Sequence, residues 1–316
     1  MENAEQYDAV VVGGGAAGLS AGLVLARSRR RVVVVDAGEP RNAPADGVHA
    51  FLTRDGVPPA ELARLGRQEV VSYGGEVRVG RAVSASREGD AVDVHLEDGA
   101  TLRARAMIVA SGLTDELPGV PGLREGWGHD VVHCPYCHGW EVRDQRVGVL
   151  VSGPMASHQA LLFRQLTEHL TLLRNGEDYP DEELAGLVAR GVRVVDEPVT
   201  ELVREDGRLV GARLADGSLV PLDVVTAQTR VVAKSAVLNS LGIARTPLVA
   251  AGQVIGHRYE ADPMTLQAAP GVWLAGNVTD PMGQVVHAAG AGVRAGAMVN
   301  AVLAQEDTRL ALASVG

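Results

Sequence analysis

Residues 8 to 36 constrain the fold more than any other stretch of this chain. Asp8-Ala9-Val10-Val11-Val12 reads as a short buried parallel strand. Gly13-Gly14-Gly15-Ala16-Ala17-Gly18 follows with G-x-G-x-x-G spacing, and Leu19, Leu23, Val24 and Ala26 then recur at helical spacing in a helix closed by Arg31. Val32-Val33-Val34-Val35-Asp36 is a second buried strand. Each part suits a dinucleotide: Gly13 makes the tight turn, Gly15 lets a pyrophosphate approach the backbone, and Gly18 lets helix and strand pack closely. The helix start at Ala16 and Ala17 faces the phosphates, and Asp36 can hold ribose hydroxyls. A glycine loop alone is a weak signal; strand, loop, helix, strand and acid in order is a strong one. A loop serving only packing is the rival reading.

The 316 residues suggest about two domains. Aromatic residues make up only 3%, so Val, Leu and Ala must build the cores. The net charge of −10 argues against nucleic acid and anionic membrane as partners. No run approaches the ~18 apolar residues of a membrane span. Met1 to Glu5 lack the basic start of an export signal. A cytoplasmic α/β protein is expected.

The chain has two cysteines, both in His133-Cys134-Pro135-Tyr136-Cys137-His138. Two cysteines this close can form one small reversible disulfide, which makes redox chemistry the first reading. Three others compete. A zinc site would need His133 and His138 as immediate neighbours to complete a tetrahedral set. Cys134-x-x-Cys137-His138 also matches haem c attachment, which requires export. An inert thiol pair is the third.

Near the C-terminus, Gly271 to Val278 forms a strand ending in a glycine turn, and Pro281 to Gln284 lead into a Gly/Ala-rich helix from Val285 to Leu303. Gly290, Gly292 and Gly296 leave a helix face open to close approach. With these segments the chain resembles, over nearly its whole length, the low-molecular-mass thioredoxin reductase family of flavoprotein disulfide reductases. The resemblance implies FAD, held by the first glycine loop and by Gly276 and Asn277 at the ribityl chain. It also implies Gln284 and Val285 at the helix that points at the isoalloxazine, and Ala110-Ser111-Gly112, similar to the family's A-T-G segment. Asn277 replaces the usual Asp and can still bond a ribityl hydroxyl. A homodimer is implied as well.

The chain also echoes itself. Gly75 to Gly112 and Gly191 to Thr229 both run through apolar strands joined by Asp-Gly turns. The expected fold class is therefore α/β, with two Rossmann-like three-layer dinucleotide-binding domains, the second inserted into the first. Residues 1–113 and 239–316 form the FAD-binding domain, and 114–238 the inserted NAD(P)-binding-like domain carrying the cysteines. The second glycine loop, Ser152-Gly153-Pro154-Met155-Ala156-Ser157-His158, is damaged. Met155 stands where a pyrophosphate should approach, His158 where a small residue should pack, and Pro154 lacks an N–H. Arg174 stands alone where the family's NADPH enzymes carry a basic cluster. This domain is expected to keep the fold and to have lost NADPH.

By the same resemblance, Cys134 is the exchange thiol and Cys137 the flavin-side thiol. His138 stands where the reductases carry a proton-donating Asp, and an imidazole can also deprotonate an incoming thiol. The string from Cys134 to Glu141 resembles the dithiol oxidases that close disulfides in gliotoxin-, holomycin- and romidepsin-type natural products. The expected reaction oxidises a small-molecule dithiol, with O2 as acceptor and no NADPH. Two alternatives stand beside it: reduction of a thioredoxin-like protein with NADPH or ferredoxin, and a non-catalytic flavin-binding sensor. His49 and His287 are candidates to face the flavin, His133 to tune the thiolate, and Trp127 and Trp140 to pack near the pair.

Overall fold

The computed structural model describes residues 5–315. Residues 1–4, most of the segment read for an export signal, lie outside the described residues.

The chain opens with β1 (Glu5–Val12), α1 (Ala16–Arg27), β2 (Val32–Asp36), α2 (Pro59–Ser72), β3 (Glu76–Val79), β4 (Ala82–Glu88), β5 (Ala91–Leu96) and β6 (Thr101–Val109). The helix α1 ends at Arg27, not Arg31: Ser28 bonds back to Val24 and Leu25, and Arg29 turns at φ 60°. β7 (Thr114–Glu116) leads to β8 (Val131–Val132), α3 (Pro135–His138), β9 (Val147–Leu150), α4 (Ala156–Phe163), β10 (Leu170–Leu173), α5 (Asp181–Ala189) and β11 (Arg193–Val195). A meander of β12 (Val199–Glu205), β13 (Arg208–Leu214) and β14 (Leu219–Pro221) precedes β15 (Val224–Ala227) and β16 (Arg230–Val232). Then come α6 (Ala236–Ser240), β17 (Arg245–Ala250), β18 (Gln253–Tyr259), β19 (Gln267–Ala269), β20 (Val272–Leu274) and α7 (Val285–Val315).

The first sheet runs β19-β20-β6-β1-β2-β3, and its central strands are parallel. β6 also pairs antiparallel with β5, so one long strand serves both sheet and meander. Alternation splits the valines between two cores. Ala9, Val11, Val32 and Val34 pack under α1 and α7, whereas Val10, Val12, Val33 and Val35 pack over the meander. A helix layer, a sheet and a meander layer result. Gly292 and Gly296 face α1, where a Cβ would collide with the carbonyl oxygens of Ala17 and Ala21. The close approach expected along α7 is therefore made by another helix.

The second sheet, β11-β10-β9-β15-β8, is parallel throughout and repeats the plan, with β12 to β14 as its meander. Here the meander's last strand and the sheet strand are separate, β14 and β15. The crossing strands β7 and β16 pair with each other and join β18 and β17. Val231, Ala233, Val237 and Leu238 share the core of Val10 and Leu102. Residues 230–238, assigned to the insert on sequence, thus pack with the first unit. No helix among the described residues is long and apolar enough to cross a membrane.

Candidate active site

The loop between β1 and α1 is shaped by the absence of side chains. Gly13 adopts φ 106°, where a Cβ would meet the Ala110 carbonyl. A Cβ on Gly18 would collide with the carbonyl of Gly13, and one on Gly14 would meet the Asp36 carboxylate. Nothing lies within 4 Å of a Cβ position on Gly15, so that face is open. Asp36 accepts from Arg67 Nη2 at 2.9 Å and from Gly38 N at 3.2 Å, which fixes it under the loop. Gly14 was not singled out on sequence; its signal was the run of three glycines.

A cavity of about 1000 Å³ opens in front of this loop. Gly13, Gly15, Ala16, Ala17, Asp36, Ala110, Gly112, Asn277, Gln284 and Val285 line it, and so do Cys134, Cys137 and His138. Gly18 and Gly276 do not; Gly276, at φ 79°, packs against Ala17 instead. An extended dinucleotide fits this cradle: a side-chain-free loop at a helix N-terminus, an acid at the end of β2, and a deep space running on to the cysteines. Asn277 behaves differently from expectation. Its Nδ2 donates to the carbonyls of Asp280 (2.8 Å) and Gly283 (2.7 Å), so it ties the turn before α7 and leaves only Oδ1 for a ligand. Aspartate could not make those two bonds.

Cys134 and Cys137 are joined as a disulfide at the one-turn helix α3. Among the described residues no group of three or more His, Cys, Asp or Glu side chains is placed to hold a metal. Both ring nitrogens of His138 are shielded from solvent and lack a hydrogen-bond partner. Burial holds its pKa below the ordinary histidine value, with the nearby Glu141 opposing. The imidazole is therefore a neutral proton acceptor at pH 7. His133 stacks on Trp127 with ring centroids 5.5 Å apart, and burial, with the Arg41 charge, lowers its pKa to about 4. Its carbonyl accepts from Gln159 Nε2, which also reaches Thr226 Oγ1, both at 2.5 Å. Gln159 so pins the segment ahead of Cys134 to the second sheet.

The 22 residues between β2 and α2 wrap the cavity, and sequence reading gave most of them no role. Arg41 makes a two-point ion pair with Asp115 at 2.6 and 2.8 Å, and Asp115 also accepts from Thr229. Burial alone would raise the Asp115 pKa, but the Arg41 hydrogen bonds and charge bring it below the usual value. His49 lies 3.4 Å from both Asp55 and Glu141, and so bridges this loop to the segment after the disulfide. His287 accepts from the Gln284 N–H, and Trp140 is exposed under the Arg143 guanidinium.

The second glycine loop carries an unexpected occupant. Gln228, just past β15, accepts the Met155 N–H through Oε1 at 3.0 Å, and its amide covers the Gly153 Cα. Arg174 is held by Asp196 at 2.8 Å, and Asp178 and Asp181 stand beside it.

Two dinucleotide-type units, one side-chain-free glycine cradle and a disulfide on the same cavity define a thiol–disulfide oxidoreductase. The chain belongs to the pyridine nucleotide-disulphide oxidoreductase family, whose profile matches residues 7–292. It is 32% identical to thioredoxin reductase tcpT of Claviceps purpurea, covering 96% of each chain. It is 31% identical to thioredoxin reductase sirT of Leptosphaeria maculans, covering 93% of each. Among solved structures, HlmI superposes with a TM-score of 0.89 at 44% identity, over 99% of this chain and 97% of that one. The protein is a thioredoxin reductase-like enzyme with a redox disulfide, of a family that uses flavin.

Proposed function

We propose that this enzyme is an FAD-dependent dithiol oxidase that converts a small-molecule dithiol and O2 into a disulfide and hydrogen peroxide without NADPH. The observation that carries the reading is Gln228. Its side chain takes the loop N–H of Met155 that a pyrophosphate would need, while the acids around Arg174 disfavour a 2′-phosphate. Electrons then enter from the thiol side. His138 accepts the proton of a substrate thiol at one of its unpartnered ring nitrogens. The substrate thiolate attacks Sγ of Cys134, the Cys134–Cys137 bond breaks, and Cys137 leaves as thiolate. The second substrate thiol then attacks the mixed disulfide, its proton passing to the departing Cys134 sulfur, so the product disulfide closes and Cys134 is released as a thiol. The substrate has lost two electrons and the cysteine pair holds them. FAD would be held by Gly13, Gly15, Ala16, Ala17, Asp36, Ala110, Gly112, Asn277, Gln284 and Val285, with Gly18 and Gly276 shaping the cradle behind them, and would supply the acceptor that passes these electrons to O2.

The FAD-binding unit corresponds to residues 1–113 and 239–316 with the 230–238 segment packed on it, and the remainder is the insert. A cytoplasmic homodimer is our reading, the dimer following from the resemblance to the thioredoxin reductases, and a second copy would cover apolar groups such as Val286 and Val293 on α7. The names of the fungal relatives favour a second reading, reduction of a thioredoxin-like protein; NADPH or ferredoxin would be its electron donor. Aerobic turnover of dithiothreitol separates the two. Oxidase activity gives one peroxide per dithiol and is lost in Cys134→Ser and Cys137→Ser, whereas a reductase gives no stoichiometric peroxide.

A further inference from the structure

We infer that the disused face of the second glycine loop is the wall that selects the dithiol substrate, with Met155 and Leu162 as specificity-determining residues. This rests on the dithiol reading above. Met155, His158, Gln159 and Leu162 are spaced i, i+3, i+4 and i+7, which places them on one face of α4 and its N-terminal cap. All four line the cavity that also holds Cys134 and Cys137. The register of that face against the disulfide is fixed from both sides. Gln159 bonds the carbonyl of His133, the residue before Cys134, and Gln228 bonds the N–H of Met155. In a nucleotide-binding unit the start of this helix belongs to phosphate. Here the N–H of its N-cap residue, Met155, is taken by an internal amide, and the side chains above it are a thioether and an isobutyl group. A surface with no anion to hold, two apolar side chains and a fixed place beside the exchange disulfide suits an apolar carbon skeleton carrying the two thiols.

The experiment compares 1,2-benzenedimethanethiol with dithiothreitol as substrates of the holoenzyme. It uses Met155→Ser, Leu162→Ser and the control Leu161→Ser, which alters a residue of α4 outside the cavity lining. The ratio of kcat/KM for the apolar dithiol over the polar one should fall roughly tenfold in Met155→Ser and in Leu162→Ser. It should stay at the wild-type value in Leu161→Ser. Calorimetry with the S,S′-dimethyl thioether of the apolar dithiol, which cannot react, should show the same loss of affinity. A ratio unchanged within twofold in both wall variants, or an equal fall in the control, overturns the inference. If the wild type oxidises neither dithiol, the oxidase reading fails, and thioether binding still decides whether the wall exists.

Discussion

Gln228 Oε1 accepts the backbone N–H of Met155 at 3.0 Å, so a side chain of this protein fills the glycine loop of its own second dinucleotide unit. The fold of that unit is intact, with a five-stranded parallel sheet and helices in the expected places. What differs is the chemistry at the loop: an uncharged amide stands in for an anion, and the face beyond it lines the disulfide cavity.

His138 is the proposed proton acceptor. Replacing it with Asn keeps a polar group of similar reach and removes the base. We expect kcat/KM for a dithiol to fall about a hundredfold or more, within the range for a positioned general base. Because burial lowers the His138 pKa, the wild-type acid limb should lie below the ordinary histidine range. That limb should vanish in the variant, as a pH–rate profile will show.

Asn277→Asp restores the residue usual in similar reductases and should nevertheless be harmful. The two carbonyls that accept from Nδ2 would face a carboxylate with no hydrogen to give. A loss of about 2 kcal/mol in stability is expected, with weaker flavin retention. Thermal unfolding and the flavin absorbance after gel filtration measure both.

Arg41→Ala leaves the Asp115 carboxylate enclosed, with Thr229 as its remaining side-chain partner. Breaking a buried pair from one side costs roughly 3 kcal/mol. Urea unfolding should show that loss, and Arg41→Ala/Asp115→Asn should recover part of it.

His133 sets a pH dependence of stability. Its pKa falls from 6.5 to about 4 on folding, so the unfolded chain binds the proton more readily. The contribution is full above pH 6.5 and is lost as pH drops toward 4, up to roughly 3 kcal/mol. His133→Asn should flatten the wild-type slope of unfolding free energy between those values.

The first unit was legible because its signals are local. The valine runs alternate between two cores, and Gly13, Gly14 and Gly18 each answer a steric demand within a few residues or across one strand pair. The Asp206-Gly207 turn likewise shows in sequence, with φ 49° and 80°. What escaped depends on distant partners. Gln228 meets Met155 across 73 positions, and Arg41 meets Asp115 across 74. Neither residue type announces such a partner. Gly292 and Gly296 signal a close approach, but sequence does not say that α1 is what lies against α7. That Asn277 Nδ2 ties the carbonyls of Asp280 and Gly283, beside any ligand bond of Oδ1, is not legible in sequence, because those carbonyls belong to a turn whose shape side chains do not spell out.

The direction of electron entry is tested most directly by anaerobic mixing of the flavin-loaded protein with one donor at a time, followed at the flavin absorbance. A small dithiol should bleach the flavin, admitting air should restore it with one equivalent of peroxide, and NADPH should leave it oxidised. Bleaching by NADPH at a rate that matches turnover would contradict it.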